Sequence, residues 1–133
     1  MITLEQLPMV AIPTMNDTHL EETLIINKLE TACTKFEVEA IPDILQELID
    51  HTTTHFLNEE EMMKQSNFSG LEDHKRDHDR HLHELKALVK YFDKNRDPKA
   101  ISAYIEGGLT RWMIHHVETM DTQAATFIQE NDS

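Results

Sequence analysis

The chain has 133 residues, with 12 lysines and arginines against 25 aspartates and glutamates and a formal charge of −13. A surface of that sign repels phosphate backbones and anionic headgroups, which speaks against nucleic-acid binding and membrane insertion. No apolar run approaches the ~20 residues that span a bilayer, and the length suits one domain with its own core. The single cysteine, Cys33, has no internal partner for a disulfide, and residues 1–15 carry none of the basic charge of a secretory leader. Both features predict a cytoplasmic setting.

Residues 1–15 hold two prolines and no sustained period, so they read as an ordered arm before a domain of residues 16–133. Asn16 or Asp17 can cap a first helix over about 17–37, since a short side-chain oxygen accepts orphan N–H groups. Its inward stripe is His19, Thr23, Ile26, Leu29, Cys33 and Phe36. Pro42 suits the first turn of a second helix, about 41–65, which buries Leu45, Leu48, Thr52, His55, Glu59 and one of Met62 and Met63. Ser66–Gly70 is a turn. A third helix over about 71–94 turns His74, His78, His81, Leu85, Leu88 and Phe92 to one side. Asp97–Pro98 then caps a fourth, which runs to about Gln129. Gly107 and Gly108 should weaken it by about 1 kcal/mol each relative to alanine, unless a neighbouring helix approaches closely there. Four helices with short connections predict an all-α, antiparallel up-down-up-down four-helix bundle.

Five histidines and two acids dominate these helices: His19, His55 with Glu59, His74 with His78, and His116 with Asp121. Residues four apart differ by about 40° in direction, so His55 and Glu59 share a face, as do His74 and His78. Glu60 and Glu61 rotate away by about 100° and 200° and should be solvated. His116 and Asp121 are five apart, about 140° in a regular helix, which predicts a distortion such as a π-bulge between them. Imidazole suits iron, copper, zinc and nickel, while carboxylates can bridge two hard cations. The Glu-x-x-His motif of ferritin-like di-iron bundles is absent from the sequence.

The segments HFLNEEEMM (55–63), HKRDH (74–78) and WMIHHVETMD (112–121), together with His19, resemble the hemerythrin family from His19 to Asp121. That resemblance implies two iron ions with an oxo or hydroxo bridge. His74, His78 and His116 would hold one iron, His19 and His55 the other, and Glu59 and Asp121 would bridge. The second iron would keep an open position, the usual mark of a reactive metal. The chain departs from the family at MNDTHLEE (15–22), where many members have Asp-x-Gln-His, at His81, where many have phenylalanine, and at Phe68, where some have tyrosine.

Taken singly, a histidine is more often packed or solvated than a ligand, and seven residues in step argue otherwise. His81 and Trp112 stand one turn from ligands, either lining an oxygen pocket or simply packing. His51 reads as a half-buried structural residue, and His83 and His115 as surface groups. Between its histidines, DHKRDHDRH reads as a solvated face, and Cys33 as an inert buried thiol. The resemblance implies reversible dioxygen binding for storage, delivery or scavenging rather than catalysis, with an unknown protein recipient. The alternatives are an oxygen or redox sensor acting through a separate partner, a di-iron enzyme turning over peroxide, nitric oxide or ferrous iron, and a mononuclear or zinc-loaded bundle.

Overall fold

The computed structural model describes residue 2 and residues 6–132, without the side chain of residue 132. Of the expected arm, residues 1 and 3–5 lie outside this range. Helix α1 is Pro13–Thr34, α2 is Ile41–Gln65 and α3 is Leu71–Asn95. The fourth helix is continuous over 98–132 but built in pieces: Pro98–Tyr104, a π-wound Ile105–Leu109, Thr110–His116, a second π-wound Val117–Asp121, and Thr122–Asp132. No strand occurs among the described residues. Helices α1 and α2 pack together, as do α2 and α3, and the fourth helix closes the bundle against α1.

The first helix starts earlier than its sequence predicts, taking in the last residues of the expected arm. Pro13 occupies its first turn and no side chain caps it; proline's fixed φ and missing N–H serve there as Pro42 does in α2. Asn16 is instead tied back to the arm, accepting from Val10 N at 2.9 Å and donating to Val10 O at 2.9 Å. α1 also stops short, at Thr34, so Phe36 falls outside the inward stripe and is 55% exposed. It turns the chain with φ 55°, as Asn67 and Arg96 do after α2 and α3, at φ 56° and 51°. Asp97 caps the fourth helix as expected, accepting from Lys99 N at 3.0 Å.

Leu29, Ile41, Leu45, Leu48, Leu85, Phe92, Ile101 and Ile105 form a large apolar core at the end of the bundle near residues 35–40. Met63, Ala124 and Ile128 make a smaller cluster near the α2–α3 turn. His19, Glu22, His55, Glu59, His74, His78, His81, His116 and Asp121 are also buried. Gly107 and Gly108 sit in the first π segment, and neither admits a neighbouring helix. A Cβ at Gly107 would meet nothing within 4 Å, and one at Gly108 would touch only Tyr104 of the same helix.

Candidate metal centre

All seven predicted residues meet in one layer. Glu59, His74, His78, His116 and Asp121 place a donor atom each within 4.8 Å of one another, and His19, His55, Glu59 and Asp121 do the same. The two sets share the two carboxylates, and each carboxylate divides its oxygens between them. Glu59 Oε1 faces His78 Nε2 at 3.3 Å and His74 Nε2 at 3.7 Å, while Oε2 faces His55 Nε2 at 2.5 Å and His19 Nε2 at 3.6 Å. Asp121 Oδ1 lies 2.9 Å from His74 Nε2 and 3.2 Å from His116 Nε2, and Oδ2 lies 3.1 Å from His19 Nε2.

The second π segment makes this possible. Winding Val117–Asp121 wide lets Asp121 follow His116 into the interior across five residues, as the spacing predicts.

Behind the donors runs a chain of acids, each on one helix and bonded to a histidine of the next. Glu22 of α1 accepts from His55 Nδ1 of α2 at 3.3 Å. Glu60 of α2 accepts from His78 Nδ1 of α3 at 2.8 Å, and Asp77 of α3 accepts from His116 Nδ1 of the fourth helix at 2.7 Å. His19 Nδ1 and His74 Nδ1 are buried with no hydrogen-bond partner among the described residues. Glu60 and Asp77 therefore do not belong to a purely solvated face; each keeps only 15% of its side chain exposed. The one trace of these acids in the sequence is position: Glu60 and Asp77 adjoin ligand positions, and Glu22 lies one turn after His19.

These bonds decide what the interior atoms are. A neutral imidazole that donates from Nδ1 presents a lone pair at Nε2. The Nε2 atoms of His78 and His116 lie 3.2 Å apart, lone pair against lone pair, and His55 Nε2 faces a carboxylate oxygen. His19 Nε2, Glu59 Oε1 and both Asp121 oxygens are buried without a hydrogen bond. Converging electron pairs in a dry interior repel unless protons or metal ions stand among them. The ionisation of the side chains says the same. Burial alone would lower the histidines, yet Asp121 and Glu59 pull His19 and His74 up to about 9. Glu59 is held well below the carboxylate range despite burial, chiefly by His55, and Asp121 likewise, by the imidazoles of His116, His19 and His74 around it. The donor set of imidazole and carboxylate fits a pair of transition-metal ions.

The hemerythrin HHE cation binding domain family matches residues 10–128. The chain belongs to the hemerythrin family. It is 27% identical over 111 residues to the bacteriohemerythrin of Aquifex aeolicus, covering 84% of this chain and 85% of that protein. To the myohemerythrin of Sipunculus nudus it is 36% identical over 77 residues, 58% of this chain and 57% of that one. A crystal structure of wild-type hemerythrin superposes with a TM-score of 0.81 at 20% identity, covering 96% of each chain, which supports the four-helix fold. As a hemerythrin, the chain belongs to a family of oxygen-binding proteins with a di-iron centre, and its cluster of histidine, glutamate and aspartate suits such a metal pair. No described helix is long and apolar enough to cross a membrane.

His81 and Trp112 stand beside the hemerythrin donors and belong to neither set. His81 stacks on Trp112 at 3.8 Å between ring centroids, and Trp112 stacks on His116 at 4.6 Å. Phe56 lies flat on His78 at 3.7 Å. Burial pushes His81 down to about 4, and its Nδ1 has no partner. Half-buried His51 bonds Glu21 at 3.1 Å, while His83 and His115 are exposed. Burial and the neighbouring Glu30 push the Cys33 thiol up to about 11, as befits an unreactive group.

Proposed function

We propose that this protein binds dioxygen reversibly at a di-iron centre with an oxo or hydroxo bridge, for storage, delivery or scavenging. The observation that carries the reading is the unequal division of donors, three histidines against two around a shared pair of carboxylates. His74, His78 and His116 would hold one iron and His19 and His55 the other, with Glu59 and Asp121 bridging. When bound, the two ferrous ions supply the electrons on which oxygen binding draws. The chain contributes the rest. Its histidine–carboxylate bonds fix the rings, the stacked Phe56 and Trp112 keep water from the three-histidine side, and His81 and Trp112 line the region beside it. A cavity of about 350 Å³ between α1 and α2, lined in part by Thr14, Thr18 and Asn58, reaches His55 and Glu59. Access on the two-histidine side is what an open coordination position there requires.

A second reading, turnover of peroxide, nitric oxide or ferrous iron at the same metals, draws on His81, an uncharged buried imidazole with a free nitrogen where a carrier would be served by an apolar group. One experiment separates them: anaerobic reconstitution with ferrous iron, metal analysis, then repeated oxygen cycling in a spectrophotometer. Reversible carriage gives two irons per chain and a visible band that bleaches on deoxygenation and returns undiminished. Rapid, irreversible conversion to a ferric form supports turnover, and a chain that holds a single metal sinks both. His81→Phe should slow autoxidation; an unchanged rate would leave His81 as packing.

A further inference from the structure

The acids behind the histidines are not evenly shared between the two donor sets. On the three-histidine side, two rings are held from behind, His78 by Glu60 and His116 by Asp77. On the two-histidine side, among the described residues, only His55 is held, by Glu22, while His19 Nδ1 has no partner. Glu22 is also built differently from the other two acids. It is 4% exposed, deep between α1 and α2, and is itself clamped: Thr52 Oγ1 donates to its Oε1 at 2.7 Å, and His51 Nδ1 lies 3.6 Å from the same oxygen. His51 is in turn fixed by exposed Glu21 at 3.1 Å. A buried carboxylate needs partners of this kind to stay in place.

From this asymmetry we infer that Glu22 is the positioning residue for the two-histidine side: by accepting the Nδ1 proton of His55 it fixes the tautomer and the ring, and so decides whether that side holds its metal. Outer partners of this kind typically change metal affinity by about 10–100-fold. Here the effect falls on one ion of the two, because among the described residues no other acid backs that side. The inference rests on the two-metal reading above and sharpens it to one residue.

The test uses the full chain loaded with zinc, which is redox-inert and binds imidazole and carboxylate. Metal content and the release of zinc to a chelator are followed, with nitrogen NMR of the histidine rings as a second readout. Wild type should hold two zinc ions and release them in two phases, with His55 carrying its proton on Nδ1. Glu22→Leu, which fills the space but accepts no bond, should speed the fast phase about 10–100-fold, or leave one zinc per chain, with the slow phase untouched. Glu22→Gln, whose amide oxygen still accepts from His55, should restore occupancy. Thr52→Val, the gentler change if Glu22→Leu does not fold, should speed the fast phase by a smaller factor. Glu60→Leu should act on the slow phase instead.

Two zinc ions released from Glu22→Leu at wild-type rates, or unchanged release from Thr52→Val, would overturn the assignment to Glu22 while leaving the metal reading intact. Equal acceleration of both phases in Glu22→Leu and Glu22→Gln would overturn it too, since Glu22 would then act through the fold. A wild-type chain that takes up fewer than two zinc ions overturns both readings.

Discussion

Two neighbouring layers of this bundle are equally buried and opposite in character. In the layer near residues 35–40, Leu45, Leu85, Phe92 and Ile101 are at most 1% exposed and need nothing but one another. In the donor layer, His74, His78 and Asp121 are buried to the same degree, yet they turn nitrogen and oxygen atoms on one another, and neither Asp121 oxygen has a hydrogen bond. The first layer drives folding by removing apolar surface from water. The second is held in place by that folding and becomes favourable only when cations or protons fill it. Burial by itself therefore says little about which residues stabilise the chain.

The sharpest way to break this contrast is to add and remove metal. Saturating the protein at ~1,000 times the dissociation constant should raise unfolding stability by about 4 kcal/mol for each ion bound, and a chelator should reverse the gain. Urea titrations with and without metal measure it, and identical curves would mean that the donor layer takes up no metal. Phe92→Ala should cost a similar amount, about 3–5 kcal/mol, but with metal and without it alike. A cost that depended on metal would mean that the two layers are not separable.

Next in size is a pH dependence confined to one state. His19 and His74 are raised from 6.5 to about 9, so their contribution to the metal-free fold is complete below 6.5 and disappears as pH rises through 9. Glu59 and Asp121 are lowered from 4.5 and 3.8, so theirs is present above those values and is lost on acidification. His81, lowered to about 4, costs stability below 6.5, so metal-free protein should be most stable near 6.5 and weaken both toward 9 and on acidification, whereas loaded protein, with metal in place of the protons, should show no alkaline decline. Denaturation at three pH values checks the sign.

Smaller still is His78→Leu. It keeps an apolar contact with Phe56 and removes one opposing lone pair. Metal content should fall while the stability of the metal-free chain holds or rises by about 1 kcal/mol. Exposed His83→Gln and His115→Gln should change neither quantity; a loss of metal in either variant would place a donor outside the layer.

The helices and the convergence of the seven candidate donors were legible because each of these residues declares itself within its own helix. The stripe of α2 predicts Leu45, Leu48, Thr52, His55 and Glu59 inside, and all five are buried. The spacing of His116 and Asp121 predicts a distortion, found as the π-wound Val117–Asp121. What was not legible crosses between helices. Glu22, Glu60 and Asp77 bond histidines 33, 18 and 39 residues away, and the pairing depends on how neighbouring helices register. Within its own helix, Asp77 looks like part of a charged face, and only α3 lying against the fourth helix turns it to His116. Local signals also competed at the ends of α1. Asn16 is a plausible cap, but Pro13 already starts the helix, and Phe36 continues an apolar stripe in a helix that has stopped.

The wide turn at Val117–Asp121 bears on how such a site is built. Histidines and acids four residues apart share a face on any regular helix, so they ask no change of the backbone. A pair five apart brings nothing together on a regular helix. It becomes useful only once the backbone has accepted an extra residue per turn, a change that by itself spoils the helix. Among the spacings in this sequence, the one between His116 and Asp121 is thus the one that rests on the path of the backbone as well as on the side chains.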